Sequence, residues 1–88
     1  SNSYADPKVM GLQNSSGVVY NITHRADQTL YDIEGVFYYL SDEMSVVAKG
    51  SVDVVTGQKA YVFYKVEDGK NVVLKIYNAN DDVPGIFK

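Results

Sequence analysis

The chain contains no cysteine, which removes disulfides, thiolate nucleophiles and every cysteine-based metal site together. Its stability must come from packing and hydrogen bonds. There is one histidine, His24, so Cys-His and multi-histidine metal arrangements are excluded, and no serine nucleophile pairs recognisably with it. Lysine and arginine never cluster, and eleven acidic against eight basic residues leave a net charge of −3. That balance lacks the electrostatic footprint by which nucleic acid or an anionic membrane surface is bound. No apolar run approaches the ~20 residues that cross a bilayer. No helical period extends beyond a turn, and no repeat, low-complexity tract or linker interrupts the sequence. A leader is not seen at the N-terminus either, but the chain opens Ser1-Asn2 without an initiator Met and reads as trimmed, so this says nothing of export.

What remains is rich in strand formers. At 88 residues there is room for one domain with a modest core, since a chain of this size buries roughly 60–65% of its unfolded surface. A hydrophobic content of 45% beside 22% charged residues is that of an independently folding globular chain. Val, Ile, Tyr, Phe and Thr dominate, and turn formers recur at Asn14-Ser15-Ser16-Gly17, Asp42-Glu43, Thr56-Gly57 and Asp68-Gly69-Lys70-Asn71. Strand runs punctuated in this way predict an all-β sandwich or barrel.

Charge placement assigns the faces, because side chains alternate along a strand and a lone Lys or Glu is rarely internal. In 60–67 the uncharged set Ala60, Val62, Tyr64, Val66 faces inward, opposite Tyr61, Phe63, Lys65 and Glu67. Val72, Leu74 and Ile76 oppose Val73, Lys75 and Tyr77, and Asp68-Gly69 between the two runs tolerates positive φ, so 60–77 reads as a hairpin. The stretch 46–55 reads as a strand with Val46, Ala48, Val52 and Val54 inward. In 29–40, Asp32 and Glu34 fall in phase with Val36, Tyr38 and Leu40, so the register must shift. A bulge at Glu34-Gly35 does this and places Ile33 with Val36, Tyr38 and Leu40; two short strands meeting at a corner is the alternative. Val18, Val19, Tyr20 and Ile22 suit a central strand, or one whose outer face meets a partner. Lys8 to Leu12 is expected as an edge strand after Pro7. The domain is therefore expected over 8–78, with 1–7 an N-terminal extension and 79–88 a loop and tail containing Pro84-Gly85.

Two patterns carry a resemblance to a known family. Gly17-Val18-Val19-Tyr20-Asn21 reads G-x-V-x-N, and Tyr38-Tyr39-Leu40-Ser41-Asp42 reads aromatic-x-Leu-x-Asp. With Val36, Val46-Val47-Ala48, Gly57, Ala60 and Val62 in matching order, residues 17–66 resemble the FxLYD domain, a small all-β module of secreted bacterial and archaeal proteins. Tyr38 stands where Phe is usual, Ser41 where Tyr is usual, and Thr56 where Pro often precedes the Gly. The resemblance implies an immunoglobulin-like antiparallel β-sandwich of about six to seven strands. It also implies that Asn21 ties off a strand and that Asp42 caps a hairpin through turn amides. It implies no catalysis and no cofactor. The compartment it implies is a prokaryotic cell envelope or exterior, often in a lipoprotein with the lipid anchor elsewhere in the full-length chain.

The candidate chemistry is sparse. His24, in Thr23-His24-Arg25, belongs at a water-exposed strand end. Asp32 and Glu34 have the spacing of a paired carboxylate site, but read first as a solvated face beside the register shift. Asn78-Ala79-Asn80-Asp81-Asp82 offers oxygens suited to calcium, but without the EF-hand pattern it reads as a polar loop. The sequons Asn14-Ser15-Ser16 and Asn21-Ile22-Thr23 matter only in a eukaryotic secretory pathway. Eight tyrosines are many for this length. The outward aromatic set, Phe37, Tyr39, Tyr61, Phe63 and Tyr77, with Val47 and Val73 in phase, is the candidate interaction face. Cross-strand stabilisation or cover by the termini are its bland alternatives. The expectation is thus a non-catalytic module that binds a protein partner or itself through an aromatic face or edge strand. A protease-inhibitor-like domain presenting Asp27-Gln28-Thr29 is the rival, and a hydrolytic fragment a remote third.

Overall fold

The computed structural model of the protein describes residues 12–82. Their order is β1 (Gln13–His24), β2 (Gln28–Ile33), β3 (Val36–Ser41), a 3₁₀ turn (Asp42–Met44) running into the one-turn helix α1 (Ser45–Ala48), β4 (Lys59–Glu67) and β5 (Lys70–Asn78). The all-β expectation holds. The expected two-sheet, immunoglobulin-like sandwich of six to seven strands does not appear among the described residues. Five strands instead close into one barrel in the order β1-β2-β3-β5-β4.

The long first strand explains the difference. Gln13 to Val18 pair with β4, while Val19 to His24 pair with β2, with an irregularity between Val19 and Asn21. A strand that changes partner at mid-length rolls the sheet back on itself and removes its edges. The barrel closes on its far side where β3 runs parallel to β5 at Tyr38↔Asn71 and Tyr39↔Val72. Of the edge strand expected over 8–12, only Leu12 is described, and it lies outside the sheet. The N-terminal extension and residues 83–88 of the expected tail lie outside the described residues.

Both hairpins turn on two residues with positive φ. Asp68 (φ 52°) and Gly69 (φ 75°) join β4 to β5 where the sequence places a turn, and Glu67↔Lys70 closes it. Glu34 (φ 51°) and Gly35 (φ 89°) join β2 to β3 in the same way, with Ile33↔Val36 as the flanking pair. The register shift expected there is thus a tight turn, not a bulge within one strand; two short strands meet, as the alternative had it. Ile33, Tyr38 and Leu40 do share the inner face, but Val36, expected with them, flanks the turn and is 45% exposed.

The interior is filled by Val19, Tyr31, Ile33, Tyr38, Leu40, Ala48, Ala60, Val62, Val73 and Ile76, all buried. Each large aliphatic side chain there contributes roughly 1.5–3 kcal/mol. Tyr38 and Tyr64 meet edge to face, ring centroids 5.0 Å apart at 73°. Burial pushes the Tyr31 hydroxyl above its usual range, and burial followed by the neighbouring Tyr38 does so for Tyr64. The inward set of β4 holds for Ala60 and Val62, but Val66 is exposed near the turn. On β5, Phe63↔Lys75 is followed by Tyr64↔Val73, so Leu74 is an extra residue, and Val73 replaces Val72 and Leu74 as the buried partner of Ile76.

The strand expected over 46–55 is corrected. Ser41 caps the 3₁₀ turn by accepting the Glu43 amide at 3.2 Å, and the chain coils through Ser45–Ala48, leaving Val46 88% exposed and Ala48 buried. Val54 packs against the core from the connecting segment, as its parity predicts, while Val52 is exposed. That segment is held by side chains after β5. Asn78 Nδ2 donates to the carbonyl of Asp53 (2.7 Å) and to Gln58 Oε1 (2.8 Å), and its Oδ1 accepts the Asn80 amide. Asp81 accepts from the Ser51 hydroxyl (2.9 Å) and the Val52 amide (3.1 Å).

Candidate functional site

In β3 the inward side chains are Tyr38 and Leu40, so Phe37 and Tyr39 project from the outer wall. The register continues this wall onto neighbouring strands: Phe37 lies opposite Asp32, Tyr39 opposite Leu30, and Ser41 opposite Gln28 on β2, while Val72 of β5 sits beside Tyr39. Phe37 is 50% exposed, and Leu30, Tyr39 and Val72 are half-buried. Between the β1–β2 loop and the start of β5 the wall is recessed into a groove of about 210 Å³, lined by Asp27, Gln28, Tyr39, Ser41, Lys70 and Val72. The Lys70 ammonium lies 5.2 Å from the centre of the Tyr39 ring, a cation–π distance. Among the described residues that ammonium meets no carboxylate, and the Asp27 carboxylate meets no cation.

The aromatic set expected on one face is divided. Phe37 and Tyr39 occupy the wall just described. Tyr61 and Tyr77 face each other as a β4–β5 pair at the opposite end of β5, where Lys59 lies 5.3 Å from the Tyr61 ring. Phe63 projects from the same side of β4 as Tyr61 yet is only 6% exposed. Barrel closure separates the two groups, because β3 touches β5 only near its start and Tyr77 sits near its end.

The motif residues serve the frame. Gly17 lies under the carboxylate of Glu34, which accepts the Val18 amide at 2.8 Å. Val19 is fully buried at the point where β1 changes partner, and its backbone bonds Gln58 and Gly57. Gly57 itself takes φ 84°. Asn21 is exposed and paired with Asp32 in mid-strand. Asp42 opens the 3₁₀ turn, but the capping oxygen is that of Ser41; the Asp42 carbonyl accepts the Ser45 hydroxyl instead.

The remaining candidates are similarly engaged. Asp32 accepts the Gly35 amide at 2.8 Å within its own hairpin, so Asp32 and Glu34 both serve backbone amides. His24 is exposed, its Nδ1 3.3 Å from Thr29 Oγ1. The oxygens of Asn78 and Asp81 are occupied by protein donors, and among the described residues no acidic or histidine cluster has the arrangement of a metal site. The Val52 amide foremost, then the Ser51 hydroxyl, hold the Asp81 carboxyl below its usual range. No described helix is long and apolar enough to cross a membrane. In the sequence Lys70 reads only as a turn residue and Gln28 only as part of the Asp27-Gln28-Thr29 loop; the parallel β3–β5 contact is what brings Lys70 onto Tyr39. Compared with known proteins, the chain matches no family model and no curated protein sequence.

Proposed function

We propose that this domain is a non-catalytic, extracytoplasmic module that binds a protein through the outer wall of β2, β3 and the start of β5. The observation that carries the reading is Phe37, half-exposed beside Tyr39 on a wall whose neighbouring side chains are Leu30 and Val72. Large apolar rings facing water are otherwise costly, and aromatic residues are what protein interfaces concentrate. Five-stranded Greek-key barrels of the OB type carry oligonucleotides and oligosaccharides on the outer wall of strands 2 and 3, between the β1–β2 and β4–β5 loops; this groove has that position, while the class of its occupant is argued from Phe37 and Tyr39. An acidic net charge and the carboxylates of Asp27 and Asp32 on this wall disfavour a polyanion there. The envelope or extracellular compartment rests on the FxLYD-like motifs of the sequence alone, since the sandwich those motifs imply does not appear among the described residues.

The inhibitor reading is weaker on geometry. Thr29 is buried, Gln28 is already in β2, and the Asp27 carbonyl accepts the Asp42 amide at 3.1 Å, so Asp27-Gln28-Thr29 does not stand out as a loop. A photoreactive phenylalanine analogue at position 37 tests the proposal in cells of origin, with the same analogue at exposed Thr56 as control. Discrete protein adducts from position 37 alone are expected. Equal labelling at both positions, or none, would remove the basis for the reading, as would inhibition of a protease panel by the unlabelled domain.

A further inference from the structure

Resting on that reading of the wall, we propose that its occupant is a second copy of this chain, docked face to face about a two-fold axis that passes over Tyr39. A two-fold interface requires a patch that is its own complement. This one has that property. In the parallel register Lys70 enters the wall level with Phe37, whereas Asp27 lies past Ser41 at the other end, next to Gln28. Along the strands the two ends are about 16 Å apart at ~3.3 Å per residue, with the Lys70 ammonium leaning back toward Tyr39. Tyr39 stands between them, with Leu30 and Val72 alongside.

An axis lying in the wall at right angles to the Asp27–Lys70 line exchanges the two ends. Lys70 of one copy then meets Asp27 of the other, twice over, while Tyr39 packs on its counterpart and the Phe37 rings fill the flanks. Among the described residues neither Asp27 nor Lys70 has an ion-pair partner, and the Lys70 ammonium rests only on the Tyr39 ring, from which it can swing to a carboxylate of the second copy. Asp32, the other carboxylate on the wall, is held in its hairpin by the Gly35 amide and stands opposite Phe37, away from Asp27. A strongly acidic or strongly basic foreign surface satisfies one end of the groove and repels the other; a second copy satisfies both. The wall offers three apolar side chains, Phe37, Leu30 and Val72, around Tyr39, few for an obligate interface, so the pair is weak and reversible.

Sedimentation equilibrium of the purified chain at low salt, from about 10 µM to about 1 mM, reads the association directly. A monomer–dimer equilibrium is expected, abolished by Phe37→Ser with Tyr39→Ser. Asp27→Lys and Lys70→Asp are each expected to weaken it at least about fivefold, and the doubly exchanged chain to recover to within about twofold. An equimolar mixture of the two single variants should associate more tightly than either alone, because it restores both contacts. Circular dichroism confirms that each variant is folded. A monomer throughout the range, a dimer indifferent to Phe37 and Tyr39, or an exchange that fails to recover would overturn the proposal. A monomeric chain that still yields foreign adducts at position 37 overturns the second copy alone and leaves the binding face in place.

Discussion

The carboxylate of Glu34 crosses from the β2–β3 turn to the Val18 amide, 2.8 Å away, and lies where a side chain on Gly17 would have to go. A Cβ at Gly17 would stand 2.7 Å from Glu34 Oε2. The flexible carboxylate is the group that yields, so the loss is that of its hydrogen bond. Gly17→Ala should destabilise by about 1–2 kcal/mol in urea unfolding. In a Glu34→Ala background the same change should cost much less, a coupling of at least ~0.5 kcal/mol. Additive losses would show that the glycine serves some other purpose.

Asp81 predicts an acid sensitivity. Its carboxyl is held below the usual range in the folded chain, chiefly by the Val52 amide, so it binds its proton more weakly folded than unfolded. Its stabilising contribution is therefore complete above about pH 4 and disappears as pH falls through the folded value. Thermal melts from pH 7 to pH 2 should show the native chain losing stability faster than Asp81→Asn below about pH 4, with the variant less stable at neutral pH. Parallel curves would mean that the bonds to Ser51 and Val52 do not hold the connecting segment.

Two phenylalanines of similar sequence context should behave oppositely. Phe63→Ala removes a ring that is 6% exposed and should cost roughly 3 kcal/mol or more, whereas Phe37→Ala removes one that is 50% exposed and should fall within roughly 0.5–1 kcal/mol. Chemical denaturation of both at a dilution where the chain is monomeric decides it. A large loss at Phe37 would identify it as a packing residue and weaken the case for the wall.

The Asp68-Gly69 turn has positive φ at both residues, a conformation that asparagine enters more readily than aspartate in Asn-Gly turns. Asp68→Asn should raise stability by a few tenths of a kcal/mol, seen as a small rise in melting temperature. A fall would indicate that the aspartate carries a role beyond its backbone.

The β4–β5 hairpin was legible because its turn residues and its alternation agree. The β2–β3 turn was half hidden, since glutamate is an unusual occupant of positive φ and masked an otherwise clear Gly signal at Gly35. Val46 and Val47 mislead for a different reason. The Ser41-capped coil takes up Val46 and Val47, and the segment reaches the later part of β5 only at the single parallel bridge Lys49↔Ile76. Closure itself, and with it the meeting of Lys70 and Tyr39, depends on a parallel contact between residues more than thirty apart, which no local pattern encodes. Phe37 and Tyr39 were placed outward correctly by parity; their separation from Tyr61 and Tyr77 follows only from the curvature of the whole sheet.

The parallel seam between β3 and β5 spans two residue pairs, fewer than any other joint in the cylinder, and the groove lies directly along it. A body seated there bridges both lips of the narrowest stitch. Any body that binds only the closed cylinder would therefore add to its stability, and a thermal melt would rise with the concentration of whatever fills the recess.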